Sequence, residues 1–351
     1  MGRAGLNRKT ALATLTLTLA AEAPDLDVLG AFGGRSFAFA HHRGFTHSFL
    51  GVPLVAAVVI AFVYLVWRLR GRKTNDPNLP PRWGLLFLFA CLAGLSHILL
   101  DFTNNYGVRP FWPFWEKWYS WDIVFIVEPV MLGILILGLI APSIFALIDK
   151  EIGARKRGPH GRVAASLALV GVVGMWGVRD YEHRRAVNAL EARTYNNVDP
   201  IRVSAFPRPI DPFHWNGVVE APAFFALAAV NSLTPEVDPD DRMEFRYKPY
   251  ETPVTLAAKQ SFIGRVFLDW AQYPMTETEV LDSSPGGYIV HFQDLRFEQI
   301  ANAVTGQRPP RALTFAVKID KNLNVVGDVY YTMRSDGTIG KITIVPEAGR
   351  R

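Results

Sequence analysis

A chain of 351 residues that is 50% hydrophobic, with a mean hydropathy of +0.13, has room for two domains and is too apolar for all of it to lie in water. Its formal charge of +5 is modest, and the basic residues sit beside apolar runs, which points to membrane topology and anionic headgroups and away from nucleic acid. The single cysteine, Cys91, excludes an internal disulfide framework and, inside an apolar run, reads as a buried inert thiol.

Apolar residues concentrate before about residue 180, and short alternating runs follow. The expected architecture is an α-helical polytopic membrane domain over residues 1–179 and a small antiparallel β-rich soluble domain over 180–351. Thr10 to Ala23, behind the basic Met1 to Lys9, has the layout of a signal peptide. Its weak apolar run and the immediate Pro24-Asp25-Leu26-Asp27 favour a short uncleaved helix. Residues 49–67 carry no charge and are long enough to span a bilayer, and further spans are predicted over 83–100, 123–148 and 163–178.

Arg68, Arg70, Arg72, Lys73 and Arg82 form one basic cluster, and Lys150, Arg155, Lys156, Arg157 and Arg162 a second. If both are cytoplasmic, the segments around His47 and His97, the loop 102–122 and everything after Arg179 are extracytoplasmic, in a multi-pass protein of a bacterial inner membrane. Arg179, Arg184 and Arg185 run against this scheme but weigh less beside a large translocated domain. Trp112, Trp115, Trp118 and Trp121, spaced by three, read first as an aromatic belt at the headgroups and second as a substrate-stacking surface; a lipid substrate would suit both. Asp180 to Arg193 extends the last span as a stalk. Strands are then predicted over 213–220, 264–270, 288–294 and 313–320, with Asp320 to Asn324 turning into a strand from Val325 to Thr332.

The polar groups at the mouths of the apolar runs carry the chemistry. On a helix His97 and Asp101, four apart, share a face and could reach one metal ion; Asp101 could instead orient the imidazole, or the two could be a plain polar pair. His42 and His47 flank Arg43 and Thr46 just before the strongest span, on the same side and at a similar depth in this topology. Asp25 and Asp27 add hard oxygen ligands, on one side of an extended segment, with a solvated helix end as the plain alternative. Glu128, inside an apolar stretch, needs a partner, with Arg43, Arg109 or a metal as candidates. Arg43 has a planar fork suited to a substrate phosphate. His160, His183, His214 and His291 have no second ligand at metal spacing.

Pro24-Asp25-Leu26-Asp27, His42-Arg43-Gly44-Phe45-Thr46-His47-Ser48 and Ser96-His97-Ile98-Leu99-Leu100-Asp101-Phe102-Thr103, with Gly107 and Pro110, resemble the YdjM-like family of inner-membrane-associated metal-dependent hydrolases, distantly similar to zinc-dependent phospholipase C. The resemblance covers about the first 150 residues. It implies His97 and Asp101 as zinc ligands, with His42, His47, Asp25 and Asp27 as further candidates. The family often carries a Thr-His pair before its first apolar helix, where this chain reads Met1-Gly2-Arg3; either the start is truncated or one ligand is absent.

The expected function is a membrane-bound metal-dependent hydrolase of a phosphoester or lipid-like substrate. Zn²⁺ or another divalent ion would be held by His42, His47, His97 and Asp101, with Asp25 or Asp27 as ligand or base and Arg43 stabilising negative charge. The alternative is a non-catalytic anchor presenting a β-rich binding domain to a partner. A transporter ranks below both, because few charges lie within the spans.

Overall fold

The computed structural model describes residues 1–74, 76, 78–151, 160–281, 286–298, 313–333 and 339–346; Arg155, Lys156 and Arg157 of the second basic cluster lie outside these, and the side chain of His160 is not among those described. The chain forms two compact units. The first comprises Met1–Val28, Arg43–His183 and Pro209–Pro212, and the second Leu29–His42, Arg184–Arg208 and Phe213–Arg351.

In the first unit, helix α1 (Ala13–Glu22) packs on two long apolar helices, and the segment between the two aspartates and His47 includes a further short helix, α2 (Arg35–His41), which belongs to the second unit. The long helices are α3 (Gly51–Leu69) and α4 (Trp83–Thr103). Their shared core with α1 includes many small residues, among them Ala20, Ala56, Ala90 and Ala93, which let the backbones approach, with Leu17, Val63 and Phe89 filling the space between. Helices α5 (Pro129–Glu151) and α6 (His160–Glu191) complete four that are long and apolar enough to cross a membrane among the described residues. None of the apolar window of α5 is buried within the protein. Leaving Leu137, Ile140, Phe145 and Leu147 in water would forgo roughly 1.5–3 kcal/mol for each, so such a helix belongs in hydrocarbon. At Gly138 of α5 an added Cβ would lie 2.4 Å from the Ala168 side chain of α6, so glycine is what permits this crossing. The last span and the stalk beyond it are one continuous helix, α6.

Among the described residues the second unit holds two antiparallel five-stranded sheets. The strands of the first are β1 (Arg202–Pro207), β2 (His214–Glu220), β3 (Phe224–Asn231), β4 (Glu236–Val237) and β5 (Glu244–Tyr247), in the order β1-β2-β3-β4 with β5 also on β3. Trp215, Val219, Ala226 and Val230 from alternate positions pack with Ala186 and Leu190 of α6. Helices α7 (Pro253–Lys259) and α8 (Phe262–Trp270) lead to the second sheet. Its strands, in the order β10-β9-β8-β7-β6, are β6 (Pro274–Leu281), β7 (Gly287–Asp294), β8 (Phe315–Ile319), β9 (Val325–Met333) and β10 (Ile339–Val345). The expected turn is present: Asp320 Oδ1 accepts from the backbone N–H groups of Asn322 and Asn324, both at 2.8 Å.

Two local expectations are overturned. Residues 264–270, read as a strand, are most of α8: the Ser261 hydroxyl caps it by accepting from Gly264 N at 3.0 Å, and Ile263, Phe267 and Trp270 recur at helical spacing on its buried face. Asp25 and Asp27 lie on a 3₁₀ helix, Pro24–Gly33, not on an extended segment. Within the second unit, α2 is fastened to the strand-bearing part: Phe39 packs on Phe315 and Trp270 at 4.4 and 5.3 Å. The Ser36 hydroxyl donates to the Asp328 carboxylate and lies 2.9 Å from the Tyr330 hydroxyl.

Candidate metal centre

All the components of the centre belong to the first unit. His97 and Asp101 come from the last turns of α4, where the four-residue spacing brings His97 Nε2 to 3.3 Å from Asp101 Oδ2. His47 ends a short 3₁₀ turn, Phe45–His47, just before α3. Ser48 ties that turn to the helix, its hydroxyl donating to Phe45 O at 2.8 Å and accepting from Gly51 N at 2.9 Å. The turn closes so tightly on α3 that a Cβ at residue 51 would lie 1.8 Å from Phe45 O, so only glycine fits.

Three potential ligand groups converge, and Asp101 adjoins two of them. His47 Nε2 is 3.2 Å from His97 Nε2, 3.3 Å from Asp101 Oδ2 and 3.5 Å from Asp25 Oδ1, and His97 Nε2 is 3.4 Å from Asp25 Oδ1. A tetrahedral ion with bonds of about 2.0–2.1 Å requires ligand atoms about 3.3–3.4 Å apart, so the mutual separations of Asp25, His47 and His97 fit three ligands of such an ion, and Asp101 Oδ2 lies at that spacing from the two imidazoles. The donor chemistry agrees. Asp101 Oδ2 is buried with both imidazole Nε2 atoms 3.3 Å away, so atoms of the kinds that ligate Zn²⁺ crowd one place. His47 is fully buried, whereas the Asp25 side chain is 55% exposed and forms the open side.

The electrostatics ask for a cation. The imidazoles of His47 and His97 hold the Asp25 carboxyl well below the usual carboxylate range, chiefly by hydrogen bonds and most strongly through His47. Burial works to lower the His47 pKa, but its hydrogen bonds to Asp101 and Asp25 outweigh burial and raise it. The carboxylates thus favour positive charge on the imidazole side of the cluster.

Two supporting groups lie behind the ligands. Asp27 Oδ2 is 3.4 Å from His47 Nδ1, on the far side of the ring from the cluster, and accepts from the backbone N–H of Arg43 at 2.8 Å. The Asp27 carboxylate, which can only accept, favours the tautomer that turns the Nε2 lone pair to the cluster, and Thr46 Oγ1, 3.0 Å from the same Nδ1, is able to accept its proton as well. Arg43, in the left-handed region at φ 51°, donates to Asp101 Oδ1 at 2.7 Å, Gly107 O at 2.8 Å and Asn104 Oδ1 at 3.3 Å, and lies 4.8 Å over the Tyr106 ring. Asp101 therefore gives one oxygen to Arg43 and turns the other to the cluster.

Among the described residues the group able to hold a metal is Asp25, His47 and His97, with Asp101 adjoining; His42 caps α2 in the second unit and is not part of it. Glu128 corrects the expected pairing. Its partner is Arg179 at 2.8 Å, both side chains being almost fully buried, and its other oxygen accepts from Ile210 N at 3.1 Å. Arg43 and Arg109 were the expected cations. Asn104 and Gly107 brace Arg43; Gly107 belongs to the motif that carries the family resemblance, whereas for Asn104 the sequence offers only its closeness to Asp101.

The chain is 27% identical over 305 residues to the uncharacterized protein YfhP of Bacillus subtilis (strain 168), covering 84% of this chain and 80% of that protein. No solved structure matches it. Residues 1–184, which contain the His and Asp cluster and the four apolar helices up to the stalk, match the model for the YdjM inner membrane protein, and the chain belongs to that membrane protein family.

Proposed function

We propose that the protein is a metal-dependent hydrolase of a phosphoester, in a lipid or another membrane-adjacent substrate, with its site on the extracytoplasmic face of the inner membrane. The observation that carries this reading is the mutual convergence of Asp25, His47 and His97 at 3.2–3.5 Å, with Asp101 at 3.3 Å from both imidazoles. Asp25, His47 and His97 would hold the ion, with Asp101 beside the two imidazoles as a fourth candidate ligand, and imidazoles with carboxylates suit Zn²⁺. When bound, the ion supplies Lewis acidity toward a phosphoryl oxygen and toward water.

The chain's own residues divide the remaining work. Asp25 is the exposed member of the set and would serve as a ligand on its open side. Asp27 and Thr46 fix the His47 ring. Arg43, with both terminal nitrogens engaged by the protein, is a positioning residue that holds Asp101 and balances its charge. The orientation is supported by the helix ends: α3 starts just after His47, α4 ends just after Asp101, and Arg68, Arg70, Arg72, Lys73 and Arg82 lie at the opposite ends of both.

Emission spectroscopy of the purified protein tests the reading. A divalent metal is expected in the wild type and is expected to be lost in His97→Ala and Asp101→Ala, together with hydrolysis of a chromogenic phosphodiester or of radiolabelled phospholipid. A wild type devoid of metal after purification without chelators refutes it.

A further inference from the structure

Between the residues that follow His47 and the loop that follows Asp101 lies an open groove of about 760 Å³, within the roughly 300–1,000 Å³ of ordinary ligand pockets. Phe49, Leu50, Phe111, Trp112, Phe114 and Trp115 line it, and no ionisable carboxylate or amine does. Its walls are held by the backbone: Phe49 N donates to Pro110 O at 2.8 Å, Trp115 N to Phe111 O at 3.2 Å, and Val108 and Tyr119 exchange two bonds of 2.9 Å. Phe49 packs edge-on against Phe111 at 5.4 Å, and Phe45 against Trp112 at 5.9 Å.

A headgroup belt accounts for aromatic rings at this level, but it does not require them to enclose a volume. The groove is also continuous with a lipid-facing surface. Leu50, Leu54, Val58, Phe62, Leu65 and Leu69 are all exposed and recur every three or four residues, a single stripe along α3 that meets hydrocarbon in a membrane protein. That stripe runs into the groove at Leu50, three residues beyond His47. We infer that the groove is an acyl-chain subsite, which takes one hydrocarbon tail of a phospholipid from the bilayer and leaves its phosphoester beside the ligand cluster. The tail's role in substrate choice rests on the hydrolase reading; the binding itself does not.

The test reconstitutes the full-length protein in vesicles of phosphatidylethanolamine and phosphatidylglycerol carrying a phospholipid with a photoactivatable diazirine midway along one chain. Crosslinks are mapped by peptide. Labelling of residues 110–119 is expected to saturate with probe and to fall about tenfold in the double variant Phe114→Ser, Trp115→Ser, while labelling of the α3 stripe and the metal content stay as in the wild type. Both substituted rings are exposed, at 83% and 59%, so the fold does not depend on them. Labelling of the loop that is absent, that rises without saturation as a belt would give, or that is unchanged in the double variant overturns the subsite. His97→Ala is expected to lose metal and keep saturable labelling. A wild type that labels but binds no metal removes the hydrolase reading and leaves the groove; one that binds metal without saturable labelling removes the groove alone.

Discussion

Replacing Asp27 by Asn separates orientation from ligation. In the wild type Asp27 Oδ2 faces His47 Nδ1 at 3.4 Å and accepts the Arg43 N–H at 2.8 Å, while the cluster lies on the other side of the ring. Asparagine keeps an oxygen for the Arg43 N–H, so the turn survives, but it removes the charge that polarises the imidazole. Loss of a carboxylate behind a metal-bound histidine weakens metal affinity by about 10–100-fold. Thr46 Oγ1, 3.0 Å from the same nitrogen, remains to accept its proton, which places the loss near the lower end, about tenfold or ~1.4 kcal/mol. Competition with a chromophoric chelator in detergent, at fixed pH, measures it, with Asp25→Asn expected to lose more because it removes a ligand. Unchanged affinity in Asp27→Asn, or a loss as complete as that of His97→Ala, would refute the assignment of Asp27 to orientation.

Two further substitutions probe the frame. Gly51→Ala forces a methyl group against Phe45 O, 1.8 Å from where its Cβ would sit, so the turn carrying His47 must shift; bound metal is expected to drop sharply, whereas Gly84→Ala, with open space around it, leaves metal content unchanged. Wild-type metal in Gly51→Ala would show that the turn does not set the site. Arg179→Met takes the guanidinium from the buried Glu128 carboxylate and is expected to destabilise by about 3–5 kcal/mol, Glu128→Gln by less because Asp211 still faces Arg179, and the double variant recovers most of the Arg179→Met loss in a detergent unfolding assay. Strictly additive losses would contradict the pairing.

The spans were legible because uncharged runs of bilayer length have few other homes, and His97 with Asp101 was legible because a helix puts four-apart residues on one face. What escaped has a physical reason in each case. Gly264 to Trp270 contains Val266, Phe267 and Leu268 in succession, which satisfies strand and helix periods alike; the decision comes from the Ser261 cap and from Ile263, upstream of the window. Glu128 and Arg179 stand 51 residues apart, and no local pattern announces a pair that only packing creates. His42 and His47 look equivalent in sequence. The left-handed Arg43 between them turns the chain, so that one ends α2 and the other joins the cluster.

That turn bears on how the anchor alternative can be tested. Cutting away residues 184–351 looks like a direct comparison between a catalytic membrane unit and a displayed β unit, but Leu29–His42, the segment joining Asp25 and Asp27 to Arg43 and His47, belongs to the unit being removed. Its helix, seven residues long, is held there by Ser36 on Asp328 and Tyr330 and by Phe39 on Phe315 and Trp270. Isolated helices shorter than about 12–15 residues are marginal in water, so truncation turns the segment into a free loop. Closing a loop of this length costs about 2 kcal/mol, which predicts metal affinity roughly 30-fold weaker in the truncated chain than in the full one. A function lost on truncation is therefore expected under both readings and separates nothing. His47→Ala and His97→Ala in the intact chain do separate them: a hydrolase loses its function with the protein still in the membrane, and an anchor keeps it. Should the truncated chain bind metal as tightly as the full chain, the segment's fastening to the β unit has no part in forming the site, and truncation regains its force as a test.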